Sequence, residues 1–219
     1  MKTLLVTGFE PFEGHALNVS WEIARALDGE RDAGVQWRAR QLPCVFGRSL
    51  EALHEALDDC QPDWVLCLGQ AEGRPDITLE RIALNLRDAR IPDNAGCQPR
   101  GEPIVAGAPL AYGSTLRLRA LMDSLQVEGW PISISNTAGT FVCNEVFFGL
   151  QHRLIDLSIS SGFVHLPLLP EQVRDPAATQ ARDDAPARAG VRTPSLPRDL
   201  QLRAIRRIGQ LTLRLAGDP

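Results

Sequence analysis

No stretch of about 18 consecutive apolar residues occurs anywhere in the 219-residue sequence, so no segment is long enough to cross a bilayer as a helix. There is no excess of basic residues either: 23 Lys and Arg stand against 27 Asp and Glu, for a formal charge of -4. Nucleic acids and anionic membranes attract basic faces, so neither is expected as a partner. The five cysteines, at 44, 60, 67, 97 and 143, are odd in number, scattered, and never spaced as C-x-x-C. That argues against a disulfide framework and against a zinc site, and points to a reducing compartment. The opening, from Met1 to Glu10, has one basic residue and an apolar run too short for a signal peptide, and reads instead as a buried strand. Repeats and composition shifts that would mark a domain boundary are also missing. At 44% apolar and 23% charged residues, the chain has the make-up of a soluble globular protein and the length of a single domain, 1–219.

What is present is an alternation of apolar runs with helical periodicity. Strands are expected at 2–7, 35–42, 64–68, 77–84, 132–135 and 162–166, and helices at 20–27, 48–59, 116–125, 142–155 and 200–215. This order predicts an α/β fold, with helices covering a largely parallel sheet. Two segments break the rhythm. Positions 88–114 are rich in Pro and Gly, and so long a loop in a compact domain is expected near a functional site. Positions 171–198 are dominated by Ala, Arg, Asp and Pro, bury little, and are expected to form a flexible excursion.

Three residues could carry chemistry together. Cys143 follows Asn136-Thr137-Ala138-Gly139-Thr140-Phe141-Val142, a small-residue turn that opens the helix at 142–155. Unpaired N–H groups and the helix dipole at that point favour an anion, lowering a thiol pKa and offering donors to an oxyanion. A lone cysteine is more often a small core residue than a nucleophile. A cysteine nucleophile needs an imidazole. Of the four histidines, His54 and His152 lie on helices and read as surface or packing residues, His15 sits in a glycine-bearing loop, and His165 stands at the end of an apolar strand. The ends of strands in α/β sheets commonly form ligand crevices. Glu80, in Ile77-Thr78-Leu79-Glu80-Arg81-Ile82-Ala83-Leu84, alternates onto an apolar face with Ile82 and Leu84, where a carboxylate needs a partner. That partner is either an arginine in a structural ion pair or the catalytic histidine, and the sequence leaves both open.

Six separated motifs, Thr7-Gly8-Phe9-Glu10-Pro11-Phe12 with Asn18-Val19-Ser20-Trp21-Glu22, Leu68-Gly69-Gln70-Ala71-Glu72-Gly73-Arg74, Glu80-Arg81-Ile82-Ala83-Leu84-Asn85, Ala89-Arg90-Ile91-Pro92-Asp93-Asn94, the Asn136 to Asn144 stretch and Val164-His165-Leu166-Pro167, resemble those of pyroglutamyl peptidase I, also called pyrrolidone-carboxylate peptidase. The resemblance runs from residue 3 to about residue 172. It implies a cysteine exopeptidase that cleaves after an N-terminal pyroglutamyl residue, with Cys143 as nucleophile, His165 as base and Glu80 as its orienting acid. Phe9 and Phe12 would hold the pyrrolidone ring, Gln70 would share that pocket, and Arg90 would lie close to the catalytic groups. It further implies a three-layer α/β/α sandwich around a mixed, mostly parallel sheet, no cofactor or metal, and a cytoplasmic homo-oligomer. The chain departs from the family pattern at Glu13-Gly14, where two glycines are common, at Phe141, where Tyr is frequent, and in a longer, more polar 171–198 segment. Two other readings are a cysteine amidase of different specificity, suggested by Glu13, and a catalytically silent α/β binding protein.

Overall fold

In the computed structural model, which describes residues 1–174 and 193–216, seven strands form one mixed sheet in the order β2-β3-β1-β4-β9-β5-β8. They are β1 (Lys2–Phe9), β2 (Arg31–Asp32), β3 (Val35–Leu42), β4 (Trp64–Gln70), β5 (Ile77–Glu80), β8 (Ile132–Ser135) and β9 (Ser160–Leu166); β6 (Ile82–Leu84) and β7 (Ala111–Gly113) make a separate two-stranded ribbon. Strands β3, β1, β4 and β9 run parallel, β2 is antiparallel to β3, and β5 and β8, parallel to each other, run antiparallel to β9.

Alternation along β1 shows how the strands serve two layers. Leu4 and Val6 pack on one face with α1 (Val19–Leu27), α3 (Leu118–Val127) and α6 (Arg198–Ala216), whereas Leu5 and Phe9 pack on the other with α2 (Arg48–Cys60) and α4 (Val142–Leu154). The parallel strands, apolar on both faces, are continuously buried from Leu4 to Phe9 and from Trp64 to Gly69, as a sheet covered by helices requires. The result is the expected α/β/α sandwich.

After β1 the chain crosses to β3 on one side, then returns to β4 on the other, so the crevice beyond the ends of β1 and β4 is a topological switch point. Gly8 permits the close approach that shapes this end of the sheet, since a Cβ there would lie 2.4 Å from the Ser20 carbonyl oxygen at the start of α1. Asn18 caps that helix, accepting from the Ser20 N–H at 3.1 Å.

Two expectations are corrected. The strand expected at 77–84 ends at Glu80, because its neighbour β8 stops at Ser135 and leaves no ladder to continue; beyond Arg81 the chain joins β7 instead. Ile82 and Leu84 are therefore in another sheet and do not share a face with Glu80. The stretch expected as a flexible excursion belongs to the fold at both ends: α5 (Pro170–Arg174) buries Gln172, and Ser195 bridges to Leu168 next to Leu196, which packs on the core. The remainder of that stretch, 175–192, lies outside the described residues.

Candidate active site

A cavity of about 270 Å³ opens at the switch point, lined by Phe9 from the end of β1, Gln70 from the end of β4, His165 from β9 and Cys143 from α4. Cys143 is the second residue of its helix, whose cap position, Phe141, makes no side-chain capping bond. Among the described residues no side chain caps the first-turn N–H groups, as an oxyanion-binding helix start requires. The two residues after Cys143 fix that helix start in place. Asn144, fully buried, pairs with the backbone of Leu84 in both directions at 2.9 Å and donates to the Leu86 carbonyl at 2.9 Å. Glu145, also fully buried, accepts from the Gly47 N–H, the Ser49 hydroxyl and the Arg87 guanidinium.

His165 Nδ1 lies 2.8 Å from Glu80 Oε1, which leaves the other ring nitrogen for the cavity. The register explains the pairing: Thr78 is opposite His165 across the antiparallel β5–β9 pair, so Glu80, two residues on, reaches the imidazole diagonally on the same face. Glu80 is 0% exposed. The sequence left arginine and histidine as rival partners, and the structure supplies both at one oxygen: Arg74 Nη1 donates to Glu80 Oε1 at 2.5 Å, and also to the Thr78 hydroxyl. Its Nη2 donates to the Thr137 carbonyl at 3.2 Å, in the turn that leads to Cys143. Arg74 is the site residue that residue-by-residue reasoning missed. Its signal was present in the need of Glu80 for a partner, but a single arginine among those near Glu80 in the chain cannot be chosen without knowing where the β4–β5 loop folds.

The electrostatics match these contacts. Burial alone would raise the Glu80 carboxyl, but the hydrogen bond and charge of His165, aided by Ser135 and Arg74, hold it below the usual range. Burial lowers His165, and Arg74 adds to this, against the opposing pull of Glu80. The pair therefore stands as carboxylate and neutral imidazole at neutral pH. Cys143 differs from the expectation drawn from its helix position. Burial pushes its thiol up to about 12 and the Glu80 charge adds to this, outweighing Arg74 and the Cys143 N–H. The proton stays on sulfur until a base takes it.

The remaining expected residues divide between floor and rim. Phe9 is buried at the floor, and half-buried Phe12 packs against Phe141 with ring centroids 5.8 Å apart. Gln70 Oε1 accepts from the Val19 N–H at 3.2 Å and from Gln172 Nε2 at 2.7 Å, so its carbonyl is occupied, while its NH₂ donates no hydrogen bond among the described residues. Arg90 stands at the rim, paired with Glu13 at 3.2 Å. The 88–114 loop reaches the cavity through Asp88, Arg90 and Ile91, as its length suggested. Cys44 also lines the cavity, buried and with its thiol pushed up by burial. Among the other histidines, His152 meets the Tyr112 hydroxyl at 2.9 Å, and neither it, His15 nor His54 lines the cavity. No group of three or more His, Cys, Asp or Glu that could hold a metal occurs among the described residues, and none of their helices is long and apolar enough to cross a membrane.

One glycine guards the imidazole. A Cβ on Gly69 would lie 2.8 Å from the Phe163 ring and 2.9 Å from His165 Cδ2. Gly69→Ala is expected to keep the secondary structure but lower kcat by about 100-fold, the usual penalty for an ångström-scale displacement of a reacting group. Unchanged kcat in a folded G69A protein, checked by circular dichroism, would show that the imidazole has room to move.

The family model described as pyroglutamyl peptidase matches residues 2–209. The pyrrolidone-carboxylate peptidase of Chromobacterium violaceum is 52% identical over 185 residues, covering 84% of this chain and 87% of that protein. That of Klebsiella pneumoniae is 50% identical over 193 residues, covering 88% of each. Among solved structures, pyroglutamyl peptidase I of Bacillus amyloliquefaciens superposes with a TM-score of 0.88 at 38% identity over 100% of both chains. A mutant pyrrolidone carboxyl peptidase from the hyperthermophile Pyrococcus furiosus gives 0.89 at 39% identity, covering 97% of this chain and 99% of the other. By sequence over nearly its whole length, and by fold, the chain belongs to the pyroglutamyl peptidase family.

Proposed function

We propose that this hydrolase cleaves the amide bond after an N-terminal pyroglutamyl residue by acyl transfer through Cys143, with His165 as general base and acid and Glu80 as the group that orients it. The observation that carries the reading is the convergence on one cavity of Cys143, at an uncapped helix start, and an imidazole already tied through Nδ1 to a buried carboxylate. The neutral imidazole takes the thiol proton as sulfur attacks the pyroglutamyl carbonyl carbon, and first-turn N–H groups of α4 receive the oxyanion. Collapse breaks the C–N bond, and the imidazolium protonates the departing amine. Water, losing its proton to His165, then attacks the thioester; the C–S bond breaks, pyroglutamate leaves and the thiol is restored.

Specificity follows from a neutral lactam. Phe9 and Phe12 offer apolar faces to the ring, and the NH₂ of Gln70 suits a ring carbonyl. A free N-terminal ammonium would be buried there without a matching anion and rejected. A cytoplasmic setting and assembly into a homo-oligomer belong to the same proposal; every described cysteine is free, which suits a reducing compartment. The test is hydrolysis of a fluorogenic pyroglutamyl amide beside its prolyl and glutaminyl analogues. Cleavage of the first alone supports the reading, and preference for either analogue overturns it in favour of a different amidase.

Arg74 acts in this scheme as a positioning residue, binding the orienting carboxylate and the nucleophile turn at once. Because its charge lowers the His165 pKa, Arg74→Ala should move the acid limb of the kcat/KM pH profile upward, in addition to a fall in kcat on the order of tenfold to 100-fold. In the wild type that limb should lie below the usual imidazole range, since His165 must be neutral to accept the thiol proton. Arg74→Lys should return the limb toward its wild-type position. A lower kcat with an unmoved limb would leave Arg74 a purely structural role.

A further inference from the structure

The mouth of the cavity carries charges that the thiol chemistry and the ring pocket do not use. The floor, with Phe9, Asn18 and His165, is buried, whereas Asp88 and Arg90 at the rim are exposed and Glu13 is partly so. A pyroglutamyl ring seated on the floor directs the chain after the scissile bond outward past this rim. Glu13 has φ 53°, the left-handed conformation that glycine adopts freely and that other residues rarely take. That conformation goes with a carboxylate at the mouth, 26% exposed, whose ion-pair partner among the described residues is Arg90, itself 77% exposed. The Asp88 side chain makes no ion pair among the described residues, so the rim sets two carboxylates against one guanidinium.

We propose that Glu13, with Asp88, makes the enzyme favour substrates whose residue immediately after pyroglutamate is cationic and discriminate against acidic ones. The inference rests on the pyroglutamyl peptidase reading above. A lysine or arginine at that position can take the place of Arg90 on Glu13, and Arg90, mostly in water, loses little on release. An acidic side chain instead meets two like charges, one of them held largely out of water, where Coulomb interactions are less screened. Glycine at position 13 would give the same turn without the charge, so the preference is a property of this residue and not of the loop.

The test compares kcat/KM for pyroglutamyl-lysyl, pyroglutamyl-alanyl and pyroglutamyl-glutamyl amides at low and high ionic strength, in the wild type, Glu13→Gln and Asp88→Asn. The wild-type lysyl-to-glutamyl ratio should be about tenfold at low salt, the size of one surface attraction gained and one repulsion avoided, and should shrink as salt is added. Glu13→Gln should bring the ratio to about twofold or less, with Asp88→Asn having a smaller effect in the same direction. Because the ratio is the readout, a general loss of activity in a variant cancels. A wild-type ratio of one, a preference for the glutamyl substrate, or a ratio unchanged in Glu13→Gln would each overturn the inference. Failure to cleave even the alanyl substrate would instead sink the peptidase reading on which it rests.

Discussion

Cys143→Ala is expected to lower turnover of a pyroglutamyl amide by about 10⁴-fold or more, while the protein stays folded. The sulfur is the atom that forms the proposed acyl-enzyme, and neither His165 nor a helix-bound water replaces it as a nucleophile of comparable strength. The fold should survive because α4 is held by its neighbours rather than by the thiol: Asn144 clamps Leu84 and Leu86, and Glu145 binds Gly47, Ser49 and Arg87. Removing one sulfur from a half-buried site costs about 1 kcal/mol, within what a domain of this size tolerates. Active-site titration and thermal unfolding measured on the same sample separate the two effects. Turnover near the wild-type rate in the folded variant would remove Cys143 from the chemistry and return attention to Cys44, the other thiol lining the cavity.

Glu80→Gln is expected to cost about 10²- to 10⁴-fold in kcat, because an amide can hold an imidazole ring but cannot stabilise its charged form, and can favour the wrong tautomer. Here the substitution has a second consequence that the sequence did not suggest. Arg74 shares Oε1 with His165, so the amide also leaves a guanidinium facing a neutral group. The loss of stability should stay below the roughly 3 kcal/mol of a fully buried broken pair, since Arg74 keeps 25% of its side chain in solvent. The double variant with Arg74→Ala separates the two roles. Stability should recover in part, because the unpaired cation is gone, whereas kcat should remain low. Wild-type turnover across pH in Glu80→Gln would mean that the carboxylate serves Arg74 alone and that the imidazole is oriented by something else.

The pKa of Cys143, the proposed nucleophile, is not set by its local sequence. A helix N-terminus stabilises a thiolate, and Cys143 does occupy one. Yet the thiol is raised, because burial and the nearby Glu80 carboxylate act on it more strongly than the helix start does. The balance depends on how β5, β9 and α4 pack, and none of those distances is encoded in the residues from Asn136 to Glu145. In the same way, the alternation from Ile77 to Leu84 gave Glu80 the right burial for a wrong reason. The strand ends at Glu80, and the face that buries the carboxylate is shared with Thr78 and His165 instead of Ile82 and Leu84.

By itself the sequence determined the α/β alternation, the position of Cys143 at a helix start, the placing of His165 at a strand end and, through its separated motifs, the family. These are legible because periodicity, turn chemistry and motif spacing are local properties of the chain. Only the tertiary structure decided that Arg74 and His165 meet at one oxygen of Glu80, that Cys44 joins the cavity wall, and that Glu13 reaches across to Arg90 at the mouth. Each of those contacts joins segments that strand register and helix packing bring together, and their energies depend on burial that no single segment possesses.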